Sequence, residues 1–196
     1  YTEYEGEGKI IGFISHSHLM AKQFSLHIDI GNMCNFDCSY CPPHTHDGSS
    51  PFISLEKLDF LLDNIRVERK IKFCTITGGE PTLFKDLEEF VQKLKKHKYN
   101  VTINSNGTAS LSKLEKLITE YNCRFIFSLH QEFTNEKIMK KINTLQEKYV
   151  DFVQVKYMGD TKSSFYEKAI NIIPAVNLEV SKIYDKSNSK EYRLIK

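Results

Sequence analysis

Nothing in this sequence supplies a strong electric field. Its 27 lysines and arginines stand against 25 aspartates and glutamates, a formal charge of +2, so no charge excess advertises nucleic acid or a membrane surface as a partner. Long apolar runs are missing too, and no stretch approaches the roughly 20 residues of a membrane-spanning helix. The opening Tyr1-Thr-Glu-Tyr-Glu-Gly-Glu-Gly is acidic and has no apolar h-region, so it is expected not to be a secretory signal. Because the chain opens on tyrosine rather than methionine, a segment before it is expected, and a truncation after Lys196 is considered as well. A disulfide framework is also lacking. Five cysteines, three of them clustered, argue against a secreted cross-linked scaffold and for a reducing compartment, the cytoplasm. At 196 residues and 40% apolar content, the chain buries a full core without such staples and reads as one domain by length.

What is present is concentrated in Cys34-Asn-Phe-Asp-Cys38-Ser-Tyr-Cys41, three thiols within eight residues. Thiols this close can converge on one metal site. As chemistry alone they suit a tetrahedral zinc, with His44 or His46 as fourth ligand, or an iron-sulfur cluster held by soft sulfur donors. The spacing does not choose between them. A second stretch does: Thr77-Gly78-Gly79-Glu80-Pro81-Thr82 follows a strand-like run and precedes a helical pattern.

Together, the CxxxCxxC motif with aromatic Tyr40 before its last cysteine and the GGEP at a strand end resemble the radical S-adenosylmethionine (radical SAM) enzymes. The resemblance implies that Cys34, Cys38 and Cys41 hold three irons of a four-iron, four-sulfur (4Fe-4S) cluster. The fourth iron is then left for the amino and carboxylate groups of S-adenosyl-L-methionine. It also implies that Gly78, Gly79 and Glu80 lie against the methionine amino end, with the Glu80 carboxylate as an ammonium partner, and that Tyr40 lies near the adenine. Such an enzyme cleaves the cofactor reductively to a 5′-deoxyadenosyl radical, which abstracts hydrogen from a substrate.

The remaining pattern fits the fold that this resemblance implies, a partial (β/α)6 TIM-like barrel of the α/β class. Apolar–polar alternation and β-rich runs predict strands at 24–30, 71–76, 99–104, 124–130, 152–158 and 178–184. Between them, Leu55, Leu58, Leu61, Leu62 and Ile65 after a Ser54 cap, then Leu87, Phe90, Val91 and Leu94, then Leu111, Leu114, Leu117 and Ile118 recur at helical spacing. Ile138, Ile142 and Leu145 follow with Thr134 as the expected cap. Ser164 and Glu167 stand at capping-box spacing before a last helix that Pro174 ends. Strands alternating with helices imply parallel pairing. The expected organisation is an N-terminal extension over 1–23, a core domain over 24–184 and a polar tail over 185–196. The apolar run 9–14 is left unassigned between a strand and a cover.

In parallel β/α folds ligands gather at the carboxyl ends of strands, where Asn106, Ser128, His130 and Lys156 are expected to stand. Ser105-Asn106-Gly107 and Ser128-Leu129-His130 look like variants of segments that lie near the cofactor in radical SAM enzymes, which implies cofactor-binding roles for Asn106, Ser128 and His130. Asn106 reads equally as a left-handed turn residue before glycine. Lys156 is expected either to meet a carboxylate of cofactor or substrate or to point outward. Cys74 and Cys123 read as small buried hydrophobes, so a single cluster is expected. The expected partners are a small-molecule or peptide substrate and a reductant protein such as flavodoxin or ferredoxin. A glycyl-radical activase, a deazapurine-type enzyme and a non-catalytic zinc-binding module are the alternatives, with peptide or small-metabolite modification ranked first.

Overall fold

Side-chain alternation decides the layering. Along Tyr99–Ser105 every second residue is buried and those between are open or half-open, and the same rhythm runs through Arg124–His130 and Val153–Met158. Strands of this kind press one face onto helices and turn the other to a lined interior. The computed structural model describes residues 3–4, 10–13, 23–42, 45–65, 71–174, 177–181, 184–185 and 193–194.

One eight-stranded sheet forms in the order β1 (Glu3–Tyr4), β2 (Ile10–Phe13), β3 (Gln23–Asp29), β4 (Ile71–Thr77), β5 (Tyr99–Ser105), β6 (Arg124–His130), β7 (Val153–Met158) and β8 (Leu178–Ser181). From β3 to β8 every pairing is parallel, giving the six parallel strands expected. Among the described residues the sheet does not close, and β1 and β8 are its edges. Helices α1 (Leu55–Asn64), α2 (Leu87–Lys96), α3 (Leu111–Thr119), α4 (Glu136–Lys148) and α5 (Ser164–Ile172) fill the crossovers.

The core lies between the sheet and these helices. Leu26, Ile28, Cys74, Ile76, Val101, Ile103, Phe125, Phe127, Leu129 and Val155 meet Leu58, Leu87, Phe90, Leu94, Leu114, Leu117, Ile142 and Leu145 there. Phe125 and Phe127, on one face of β6, stack with ring centroids 5.1 Å apart. Both Cys74 and Cys123 are fully buried, and burial pushes the Cys123 thiol up to about 12 and the Cys74 thiol upward as well. They behave as small core hydrophobes, as expected.

Several local details differ from the sequence reading. The run 10–13 is a strand, β2, antiparallel to β3, so part of the expected N-terminal extension joins the main sheet. Ser54 caps α1 by accepting from the Lys57 amide, but Thr134 does not cap α4. Asn135 does, accepting from the Ile138 amide, while Thr134 Oγ1 accepts from the His130 amide at 2.8 Å. Ser163 rather than Ser164 caps α5. The last parallel strand is Leu178–Ser181, and β9 (Tyr184–Asp185) pairs with β10 (Arg193–Leu194), a pairing that reaches into the segment expected to be a polar tail.

Candidate cofactor site

Parallel pairing brings the carboxyl ends of β3, β4, β5 and β6 to one rim, and the cysteine loop leaves β3 across that rim. Its stem is fixed from below by the turn after β4. The Gly79 amide donates to Gly31 O at 2.8 Å, and the Glu80 amide donates to Met33 O at 2.8 Å. Glycine is required at both preceding positions. A Cβ on Gly79 would stand 2.2 Å from Met33 O, and one on Gly78, whose φ is +133°, would stand 2.4 Å from Gly31 O. The two glycines therefore let two backbone segments touch with nothing between them.

Glu80 is fully buried. Its Oε1 accepts from the Thr82 amide at 3.0 Å, the Thr82 hydroxyl at 2.6 Å and the Ser105 hydroxyl at 2.8 Å, and its Oε2 accepts from the Asn106 amide at 2.6 Å. The carboxylate thus ties the end of β4 to the end of β5. Oε2 retains an acceptor position, since a carboxylate oxygen can take more than one donor. Asn106 carries the tie onward: its Nδ2 donates to Asn35 Oδ1 in the cysteine loop at 2.8 Å, and its Oδ1 accepts from the Thr108 amide at 3.0 Å. The left-handed position in this turn belongs to Gly107, φ +74°, and not to Asn106.

The three thiols sit on this supported loop. Cys38 is buried, while Cys34 and Cys41 are half-buried. The Phe36 amide donates to Cys34 Sγ at 3.4 Å. A hydrogen bond between the sulfurs of Cys38 and Cys41, followed by burial, pushes the Cys38 thiol upward, and burial does the same to Cys34. Cys38 Sγ lies 3.5 Å from His130 Nδ1, and the Tyr40 hydroxyl is hydrogen-bonded to the same nitrogen. The Tyr40 and His130 rings lie nearly parallel, 9° apart. Burial drives the His130 imidazole down to about 4 against the opposing charge of Glu132, so it is neutral near pH 7.

The donor set fits an iron-sulfur cluster. Three thiols share one loop, an amide already points at Cys34 Sγ, and no fourth cysteine lies on that loop. Among the described residues no three thiol, imidazole or carboxylate groups crowd round one point as a single closed ion shell would need. His46 Nδ1 turns to Asp37 Oδ1 at 3.2 Å rather than to the thiols, and His44 lies outside the described residues.

The other expected residues occupy the inward face. Ser128 and Lys156 are paired across β6 and β7, as are His130 and Met158. Lys156 meets an acidic group of the chain itself, Glu179 of β8, at 3.3 Å. Sequence reasoning gave no role to Asn35, Thr82, Ser105, Glu132 or Phe133. Asn35, Thr82 and Ser105 lie inside stretches it singled out, and Glu132 and Phe133 carried no local signal.

The comparisons agree with this geometry. The model of the radical SAM superfamily matches residues 28–159, and the chain belongs to that family. The cofactors of the family are a 4Fe-4S cluster and S-adenosylmethionine. A probable GTP 3′,8-cyclase of Pyrococcus horikoshii is 26% identical over 164 residues, which are 82% of this chain and 50% of that protein. A GTP 3′,8-cyclase of Helicobacter pylori is 37% identical over 97 residues, 46% of this chain and 29% of that one. The chain thus spans half or less of the length of these curated relatives. Among solved structures, native anSMEcpe with bound AdoMet and a Kp18Cys peptide superimposes with a TM-score of 0.62 at 19% identity, over 87% of this chain and 55% of that one. At that identity the likeness establishes the fold.

Proposed function

We propose that residues 24–184 form the cofactor-binding core of an enzyme that cleaves S-adenosylmethionine reductively at one 4Fe-4S cluster held by Cys34, Cys38 and Cys41. The observation that carries this is the close backbone contact of Gly78-Gly79-Glu80 with the stem of the cysteine loop, which puts the two motifs on one rim of a parallel sheet. When bound, cluster and S-adenosylmethionine together supply an organic radical that takes hydrogen from substrate.

The chain's own residues shape the site around that chemistry. Gly78 and Gly79 bring bare backbone to the rim, and Glu80 holds the ends of β4 and β5 together, its Oε2 being the oxygen we assign to the ammonium of the cofactor. Tyr40 and His130 form an aromatic wall beside Cys38 that suits an adenine. Further down, Ser128 and the Lys156–Glu179 pair give the interior hydrogen-bonding groups on the substrate side.

A small metabolite or a peptide is the substrate class we favour, because the inward pairing of Lys156 with Glu179 leaves that part of the interior polar without an excess of positive charge. A nucleotide is the second reading, favoured by the GTP in the names of the two relatives. The setting is cytoplasmic and the electron comes from a small reductant protein such as flavodoxin or ferredoxin. Among the described residues no helix is long and apolar enough to cross a membrane.

Anaerobic reconstitution tests the reading. The expected product is a brown protein with about four irons and four sulfides per chain that turns S-adenosylmethionine into 5′-deoxyadenosine on reduction. Cys38→Ala should remove most of the bound iron and all of that cleavage. A colourless preparation, or a Cys38→Ala variant that binds iron as well as the parent, would refute the assignment.

A further inference from the structure

The loop that bears the thiols has little backbone structure of its own. Within 34–41 one backbone hydrogen bond forms, from the Cys41 amide to Cys38 O at 3.0 Å. Besides the Asn35 tie to Asn106 and Thr108 and the Asp37 pair with His46, its contacts are with the turn that joins β6 to α4, and these run residue by residue. Phe36 stacks on Phe133 with centroids 5.2 Å apart and meets the His130 ring edge-on at 5.8 Å. Cys38 and Tyr40 both touch His130. Between them, the Ser39 amide donates to Glu132 Oε2 at 2.8 Å and the Ser39 hydroxyl donates to Glu132 Oε1. The turn is itself closed by the His130 amide, which donates to the buried Thr134 hydroxyl.

We propose that Glu132 is a positioning residue for the cluster: its carboxylate clamps the cysteine loop through Ser39 and keeps a negative charge beside Cys38 that holds the cluster's reduction potential low. This rests on the reading that Cys34, Cys38 and Cys41 hold the cluster. One feature separates Glu132 from an ordinary surface acid. It takes both donors of the residue that follows Cys38, so the Ser39 amide is committed to a carboxylate and not available to a cluster sulfur. Amides given to cluster sulfur raise the potential and nearby negative charge lowers it, so both effects of Glu132 run the same way.

Two substitutions separate clamp from charge. Glu132→Gln keeps a carbonyl that can accept from the Ser39 amide but removes the charge, and Glu132→Ala removes both. The reconstituted holoprotein is read out by iron release to a chelator and by a potentiometric titration followed by electron paramagnetic resonance. In Glu132→Ala, iron release should speed up by about three- to tenfold, the range one or two exposed hydrogen bonds support. In Glu132→Gln, release should stay within about twofold of the parent while the midpoint potential rises, more so at low ionic strength. Parental iron retention in Glu132→Ala, or an unmoved potential in Glu132→Gln, overturns the proposal. Both residues are exposed, so folding of the variants is not at stake. If Cys38→Ala retains its cluster, the underlying assignment fails, and this is recognised by iron content before any Glu132 variant is read.

Discussion

Glu80→Ala is expected to cost the apo protein about 3 to 5 kcal/mol of folding stability, among the largest effects a single substitution can have. Four donors converge on this buried carboxylate, and three of the four reach it at 2.8 Å or less. Alanine would leave the Thr82 amide and hydroxyl, the Ser105 hydroxyl and the Asn106 amide without their acceptor, at a cost of about 1 to 3 kcal/mol for each that finds no replacement. The Thr82 and Ser105 hydroxyls can rotate toward other acceptors, which is why the sum is well below the maximum. Glu80→Gln is a finer probe. Its carbonyl can serve Thr82 and Ser105, but its amino group would then face the Asn106 amide, donor against donor, and a loss of about 2 kcal/mol is expected. Urea unfolding of both variants decides the matter. A stability within about 1 kcal/mol of the parent, together with weakened S-adenosylmethionine binding, would mean that the carboxylate acts mainly as an ammonium partner and not as a tie between strands.

Gly79→Ala should be as damaging by another route. The added methyl would stand 2.2 Å from Met33 O, 2.5 Å from Met33 C and 3.0 Å from Asn32 C. All three are backbone atoms, so no side chain can swing away, and the stem of the cysteine loop must move. The expected loss is about 3 kcal/mol or more, the upper range for overpacking. It should come with a fall in iron content after reconstitution, because the displaced segment leads directly into Cys34. Gly48→Ala is the control: its Cβ would meet nothing within 4 Å, although its φ of +70° carries a modest backbone cost. If Gly79→Ala assembled a full cluster at parental stability, the contact between the two motifs would have to be looser than described.

Much of this was legible in the sequence. Burial on one side of a strand writes itself as period two, so β5, β6 and β7 were located to within a residue, and parallel order followed from the alternation with helices. The two motifs announced themselves because each is continuous in the chain. What escaped was of two kinds. Helix caps slipped by one residue where adjacent side chains compete, as with Thr134 and Asn135 or Ser163 and Ser164, since the winner is set by the path of the incoming backbone. Long-range partners escaped altogether. Asn35 bonds to Asn106 across 71 residues, and Ser39 bonds to Glu132 across 93. Neither Asn35 nor Glu132 lies in a pattern that names its counterpart, so only register and crossover geometry bring them together. Lys156 was legible as a lysine in need of an acid, but its partner on β8 was not, for the same reason.

That 93-residue separation bears on when the cluster can be installed. As the polypeptide emerges from the ribosome, the trio of sulfurs appears long before the fourth parallel strand that braces it, and contacts this distant in the chain form late because closing such loops is slow. Until then the sulfurs dangle from an unfixed segment, open to oxidation or to stray metal. Iron delivered early would find a poor cradle, and iron delivered after β6 has joined the sheet would find a rigid one. The topology therefore favours an order of events in which assembly of the sheet precedes loading.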